Sequence, residues 1–219
     1  MQKTSHFFFA LQKKSYICGE QSHIVRHIVK QDRTMSHLLH LFDFCPKCGA
    51  KTFREDTVKS KRCEACNFVY FMNPSAATVA IIVDEMDQLL VVRRSKEPAK
   101  GTLDLPGGFS DCFETAEEGI RREVLEETGL SVTESEYLFS LPNMYRYSGL
   151  DIPTLDLFFL CKVADTRGAT AMDDAGEVLW LPWQEVKAED FGLKSISRGV
   201  SRLIAMHASG LIAASHKPH

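Results

Sequence analysis

The stretch Gly107–Leu130, GGFSDCFETAEEGIRREVLEETGL, constrains this chain more than any other. It reads as a tight glycine loop running into a helix crowded with glutamates. On a wheel of about 3.6 residues per turn, Glu126 and Glu127 fall within about 60° of Glu123, so three acids share one face. Like charges at i,i+3 and i,i+4 cost an isolated helix on the order of 0.2–0.5 kcal/mol per pair, so something must compensate. Arg122 stands four residues from both Glu118 and Glu126 and is expected to pair with each. Glu123 and Glu127 have no Lys or Arg three or four residues away. An acid cluster left this way beside an apolar stripe (Ala116, Ile120, Val124) suits oxygen ligation of a hard divalent cation. The competing reading is a solvated charged face, which unrelieved local conflict disfavours. Glycine inside a helix costs roughly 0.8–1 kcal/mol against alanine, and Gly119 is expected to leave room for a metal or phosphate.

The ends of this helix are written in the sequence. Thr115-Ala116-Glu117-Glu118 is a capping-box pattern that fixes the start, and Gly129 followed by Leu130 is a C-terminal stop.

A second pattern lies upstream. Cys45-Pro46-Lys47-Cys48 and Cys63-Glu64-Ala65-Cys66 are two C-x2-C knuckles with fourteen residues between them, and Gly49 and Asn67 follow them where a left-handed backbone is needed. Four cysteine thiolates make a closed tetrahedral site, which is structural, and zinc is the expected metal. With Cys18, Cys112 and Cys161 scattered as singles, the seven cysteines suit a reducing, cytoplasmic setting better than a disulfide framework. Lys47, Lys51, Arg54, Lys59, Lys61 and Arg62 make this ribbon locally basic, but aromatic interleaving is thin and a solvated surface is the simpler reading.

With 219 residues and 44% hydrophobic content, one sizeable core plus a small appendage is expected. A net charge of -3 gives no general pull toward nucleic acid or anionic membrane, and no apolar run reaches the roughly 18 residues of a membrane span. Residues 1–34 read as a poorly ordered extension, with Met35 a natural beginning of the folded part. HFFFAL is too short for a signal-peptide core, and Cys18, His23 and His27 fit a marginal amphipathic turn better than a metal site. The ribbon is assigned to 35–73, the main domain to 74–210 and a frayed tail to 211–219.

Within the main domain, Ala76–Val83 and LLVVRR read as a hairpin of buried strands joined by the turn EMDQ. Tyr137–Leu141 and Thr154–Val163 read as strands separated by a long loop, PNMYRYSGLDIP, whose Tyr145 and Tyr147 could stack a base. Glu177–Leu181 is a further strand after an acidic turn at Asp173 and Asp174. Ile196, Val200, Leu203, Ile204 and His207 mark an amphipathic helix over Ser195–His207, with His207 a core or edge residue.

These residues resemble a known family. Gly108, Glu114, Arg122-Glu123-Val124, Glu126-Glu127 and Gly129-Leu130 fill every fixed position of the Nudix box, G-x5-E-x7-R-E-U-x-E-E-x-G-U, where U is aliphatic. The resemblance covers roughly Ala76–His207 and implies an α/β/α sandwich with a mixed sheet. It also implies magnesium- or manganese-dependent hydrolysis of a nucleoside diphosphate linked to another group. Carried over by position, Glu123, Glu126, Glu127 and the Gly107 carbonyl would be metal ligands. Arg122 would hold the glutamates in place, and Glu114 would support the loop-to-helix junction or a further metal. Phe113 departs from the family, which commonly has glycine there.

A four-cysteine ribbon before such a domain is similar to the NADH pyrophosphatase branch, which carries S-Q-P-W-P-F-P-x-S after its box. Ser140–Ser148 keeps both serines, the first proline and an aromatic at Tyr145, and lacks the glutamine, the tryptophan and two prolines. The implied substrate is NADH, ADP-ribose or another nucleotide-linked compound, with Tyr145, Tyr147 and Glu177 as candidate substrate contacts. The water's proton is expected to go to Glu123 or to a loop acid such as Glu177. Capped RNA is the one nucleic-acid partner that fits, and a homodimer is expected. The alternative is a regulator that binds a nucleotide without cleaving it.

Overall fold

The computed structural model describes residues 37–172 and 175–212. The proposed extension, its Cys18, His23 and His27, the Asp173–Asp174 turn and most of the tail lie outside the described residues.

Three short strands, β1 (Phe53–Thr57), β2 (Ser60–Cys63) and β3 (Val69–Phe71), form an antiparallel sheet in that order. Phe53 packs with Cys45 and Cys63 in a core of its own. So small a core cannot hold the ribbon by itself. The basic residues here are largely engaged: Arg62 pairs with Asp56 at 3.2 Å, and Lys61 is buried, donating to the Phe42 carbonyl at 2.8 Å.

The remainder is a sandwich. Its elements are β4 (Ser75–Ile81), β5 (Gln88–Arg94), β6 (Leu103–Asp104), β7 (Gly107–Phe109), α1 (Ala116–Thr128), β8 (Val132–Tyr147), β9 (Leu150–Val163), β10 (Ala175–Pro182) and α2 (Lys194–Ala208). One sheet runs β7-β4-β9-β8 and is mixed, β4 and β9 being parallel; the other runs β10-β5-β6. The apolar runs of β4 and β5 are continuous because both faces are covered. Ala80, Ile82 and Leu90 meet Ile120 and Val124 of α1, whereas Val79, Ile81, Leu89 and Val91 join Val200 and Leu203 of α2 in the second core. Alternate residues thus serve opposite layers. Burial of a side chain like Ile120 contributes about 1.5–3 kcal/mol.

Two expectations are corrected. β4 and β5 do not form an extended hairpin: their main chains pair near the turn, where Val83 bridges Leu89, Leu90 N–H bonds the Ile82 carbonyl at 2.9 Å and Asp84 N–H the Gln88 carbonyl at 3.0 Å. A strand has two edges, and those of β4 are taken by β7 and β9, so β5 departs to a second sheet. The loop expected between Leu141 and Thr154 is instead the end of a long hairpin. β8 and β9 stay paired to Tyr147–Leu150 and turn through Ser148 (φ 50°) and Gly149 (φ 79°), a two-residue turn that needs positive φ at both positions. Pro142 is tolerated because β8 is an edge strand, and Pro153 because β9 there extends past the first β4 pairing at Ser75–Thr154. No helix among the described residues is long and apolar enough to cross a membrane.

Candidate active site

The β7 turn and α1 are locked together before any ligand is considered. Thr115 accepts from Glu118 N–H at 3.2 Å, and the Glu118 carboxylate accepts from Thr115 N–H at 2.7 Å, completing the capping box. Gly129 closes the helix in the left-handed conformation at φ 71°. Because Glu118 is held at the cap, it does not pair with Arg122. Arg122 instead reaches Glu114, with Nε at 3.2 Å and Nη2 at 2.7 Å, and donates through Nη1 to Glu123 at 2.8 Å and Glu126 at 3.1 Å. Glu123, expected to lack a cationic partner, has its sequence neighbour. Nη2 also donates to the Phe109 carbonyl at 3.1 Å, tying helix to strand.

This fork sets the protonation of its members. Hydrogen bonds from Arg122, helped by the Asp111 N–H, hold the Glu114 carboxyl below its ordinary value of 4.5, while bonding to Glu114 raises the guanidinium. Burial pushes the Glu123 carboxyl up, against the pull of Arg122.

Two glycines make room for these carboxyls. A Cβ on Gly108 would lie 2.6 Å from the carboxyl carbon and both oxygens of Glu123. Gly119 does not leave space for a ligand as expected: a Cβ there would meet Glu114 Oε1 at 2.8 Å, so the room is filled by the acid that reaches back to Arg122. Glu127 accepts from Gly107 N–H at 3.0 Å. Phe113 takes φ 73° and is fully exposed, so the loop keeps a glycine-like backbone although the residue is phenylalanine.

Beside this cluster opens a cavity of about 400 Å³. Gly107, Gly108, Arg122, Glu123 and Glu127 line it, whereas Glu114 and Glu126 do not. Tyr145 also lines it, with its ring edge-on to Phe109 at 5.4 Å between centroids. Tyr147 is exposed at the hairpin tip and Glu177 lies on strand β10, paired with Arg93 at 2.9 Å; neither lines the cavity, and Glu177 is not a loop acid. Sequence reasoning missed a polar group on the cavity wall. Arg94 Nη1 donates to Asp104, and Thr154 Oγ1 donates to Asp156 at 2.7 Å, with Asn143 close by in the lining. Burial raises the Asp104 carboxyl despite Arg94, and the charge of Asp156 adds to the rise. These residues come from four strands, and no local spacing announces them.

At the ribbon, the sulfur atoms of Cys45, Cys48, Cys63 and Cys66 all lie within 4.8 Å of one another, with Gly49 (φ 73°) and Asn67 (φ 57°) turning the two knuckles. Cys45–Cys66 and Cys48–Cys63 are 3.7 Å apart. A tetrahedron of metal–sulfur bonds of about 2.3 Å has edges of about 3.8 Å, so the four thiols fit one metal ion. His207, as expected, has a structural role: its ring stacks on Trp183 at 4.4 Å and bonds Asp87 at 2.8 Å.

Residues 72–202 match the family model for the NUDIX domain. The chain belongs to the Nudix family. The NAD-capped RNA hydrolase NudC of Haemophilus influenzae is 30% identical to it over 120 residues, 53% of this chain and 44% of that protein. The human mitochondrial NAD(P)H pyrophosphatase NUDT13 is 40% identical over 129 residues, 58% of this chain and 34% of that protein. The match thus spans less than half the length of either curated relative. The crystal structure of a Nudix hydrolase from Nitrosomonas europaea shares the fold, with a TM-score of 0.61 at 24% identity over 80% of this chain and 96% of that one. The Nudix α/β/α sandwich with a mixed sheet is therefore the fold of this protein.

Proposed function

We propose that this Nudix protein is a divalent-metal-dependent pyrophosphohydrolase that cleaves the pyrophosphate of a nucleoside diphosphate linked to a second group, such as NADH or ADP-ribose. The observation that carries this reading is that Glu123 and Glu127 line the same cavity as Arg93, Lys96 and Tyr145. Acids able to hold a cation, basic groups suited to phosphate and an aromatic ring suited to a base share one space.

The donor set fits a hard cation, being carboxylate oxygens on one helix face beside a glycine turn. Magnesium or manganese would be held by Glu123 and Glu127 with the Gly107 carbonyl; Glu126, the third acid the box position implies, lies outside the cavity lining, and zinc would be held by Cys45, Cys48, Cys63 and Cys66. What the divalent ion supplies when bound is neutralisation of the pyrophosphate and a more acidic water. The protein's own part is placement. Arg122 fixes Glu123 and Glu126 against Glu114, and the missing side chain of Gly108 lets Glu123 lie against the β7 backbone. Of the two acids considered for the water's proton, Glu123 lines the cavity and Glu177 does not. Near-full turnover of Glu123→Gln with magnesium would exclude Glu123 from that role.

The test is a panel of NADH, ADP-ribose, diadenosine polyphosphates, nucleotide sugars, nucleoside triphosphates and NAD-capped RNA, assayed with magnesium for release of a mononucleotide. Hydrolysis of at least one of them, abolished by chelation, is expected. If metal binds and none is cleaved, the protein is a nucleotide-binding regulator instead.

A further inference from the structure

The polar group on the cavity wall is not among the residues proposed to hold a metal, and its hydrogen-bonding capacity is incompletely used. Cross-strand pairing puts Phe109, Ala77 and Asp156 in one row, since Ala77 pairs with Phe109 on one side and Asp156 on the other. Thr154 pairs with Asn143 in the next row. Paired residues point to the same face of a sheet, and diagonal neighbours such as Asn143 and Asp156 are roughly 7–8 Å apart. That is enough to take the edge of a flat heterocycle between them. Tyr145, two residues from Asn143 on the same strand, stands edge-on to Phe109 and completes an aromatic wall.

The donors and acceptors on this wall are unevenly matched. Asp104 is provided for: Arg94 bonds one carboxyl oxygen and Leu105 N–H the other at 2.9 Å. Asp156 is 5% exposed, and Thr154 supplies a hydrogen bond to Oδ1 alone. Among the described residues no donor reaches Asp156 Oδ2, and none engages the Asn143 amide. The Arg94 guanidinium is committed to Asp104 and to the Pro98 carbonyl at 2.7 Å, and it also interacts with the Tyr145 side chain. An acceptor of this kind on a cavity wall can be completed by a donor brought with the ligand.

We propose that Asp156, with Asn143 beside it, selects a flat nitrogen heterocycle bearing an NH2 group, which donates to Asp156 Oδ2 while the ring packs against Tyr145 and Phe109. This rests on the nucleotide-cleaving reading of the same cavity and adds the chemistry of the base. A ring with a carbonyl or carboxylate in place of NH2 sets oxygen against oxygen there and is rejected. The NH2 group can come from an adenine or from a nicotinamide carboxamide.

Equilibrium binding of mononucleotides to the full chain separates these sources without requiring catalysis. AMP is compared with IMP, and nicotinamide mononucleotide with nicotinate mononucleotide, in the wild type and in Asp156→Asn. The substitution keeps an acceptor for the Thr154 hydroxyl but offers an NH2 where Oδ2 stood. The wild type is expected to prefer the NH2-bearing member of at least one pair by about tenfold or more, and Asp156→Asn to level or invert that ratio. Preference within the first pair alone assigns the site to adenine, and within the second alone to nicotinamide. Thr154→Val, which frees the Asp156 side chain to rotate, gives a second reading and should weaken the same preference. The proposal is overturned if the wild type shows no preference in either pair, or if the preference survives Asp156→Asn unchanged. Failure of the pyrophosphatase reading shows separately, as a preference in binding without turnover of any compound in the panel.

Discussion

Gly108 and Glu123 occupy what would ordinarily be one space: a Cβ on the glycine would stand 2.6 Å from the carboxyl group of the glutamate. The acid lies against the β7 backbone only because residue 108 has no side chain, and Arg122 then holds it there at 2.8 Å.

Replacing Gly108 by alanine should therefore displace Glu123 while leaving the fold intact. Misplacement of a reacting group by about 1 Å can cost on the order of 10²-fold in rate, and a loss of that order in kcat is expected for Gly108→Ala. Circular dichroism and thermal unfolding close to wild type, together with the rate loss, would check it. Unchanged turnover would show that the position of Glu123 does not matter.

Protonation of Glu114 gives a pH dependence with a definite sign. Its carboxyl is held below the ordinary 4.5 by the bonds from Arg122 and the Asp111 N–H. A depressed folded-state pKa means that the unfolded chain binds the proton more readily, so the group's contribution to stability is present above about pH 4.5 and fades as pH falls through the lowered folded value. Wild type should lose stability between pH 5 and pH 3 more steeply than Glu114→Gln, as measured by urea unfolding across that range. Parallel curves would refute the linkage.

Phe113 sits at φ 73° with its ring in solvent. A left-handed backbone costs a residue with a Cβ roughly 1–2 kcal/mol, and glycine gives back part of that gain through the greater freedom of the unfolded chain, roughly 0.4–1 kcal/mol. Phe113→Gly should stabilise the protein by about 0.5–1 kcal/mol, visible as a higher denaturant midpoint with an unchanged slope.

At the ribbon, metal analysis of the purified protein is expected to find one zinc per chain, and Cys48→Ser to lower that content sharply. Because the surrounding core is only Phe53 and its few neighbours, loss of the metal should expose β1–β3 to proteolysis. A full zinc complement in Cys48→Ser, or an unchanged digestion pattern without metal, would remove the site's structural role.

The readings that held were those set by a few consecutive residues. The Thr115–Glu118 capping box, the Gly129 stop and the left-handed Gly49 and Asn67 are governed by local backbone sterics, and all four stand in the structure. The strands β4 and β5 were legible as buried from their apolar runs, but their partners were not, because pairing depends on which edges other strands have already occupied. The β8–β9 hairpin was hidden by Pro142 and Pro153, which break strands in most settings and are tolerated here by an edge and by an overhang. Helix spacing placed Arg122 only in part: the pair with Glu126 four residues on is present at 3.1 Å, whereas Glu114 approaches from the preceding loop and Glu118 is drawn away to the cap.

By itself, the sequence determined the chemistry offered: a run of glutamates on one helix, four thiols in two knuckles and the turns that aim them. Tertiary structure decided which of those groups face a common space. Glu123, Glu127 and Tyr145 came to line one cavity, Glu177 and Tyr147 did not, and Asp156 arrived there from the middle of a strand that nothing nearby in sequence marked out. The reason is geometric. A motif fixes the directions of side chains along one element, but a cavity is bounded by several elements whose pairing and packing are settled only when the whole core closes.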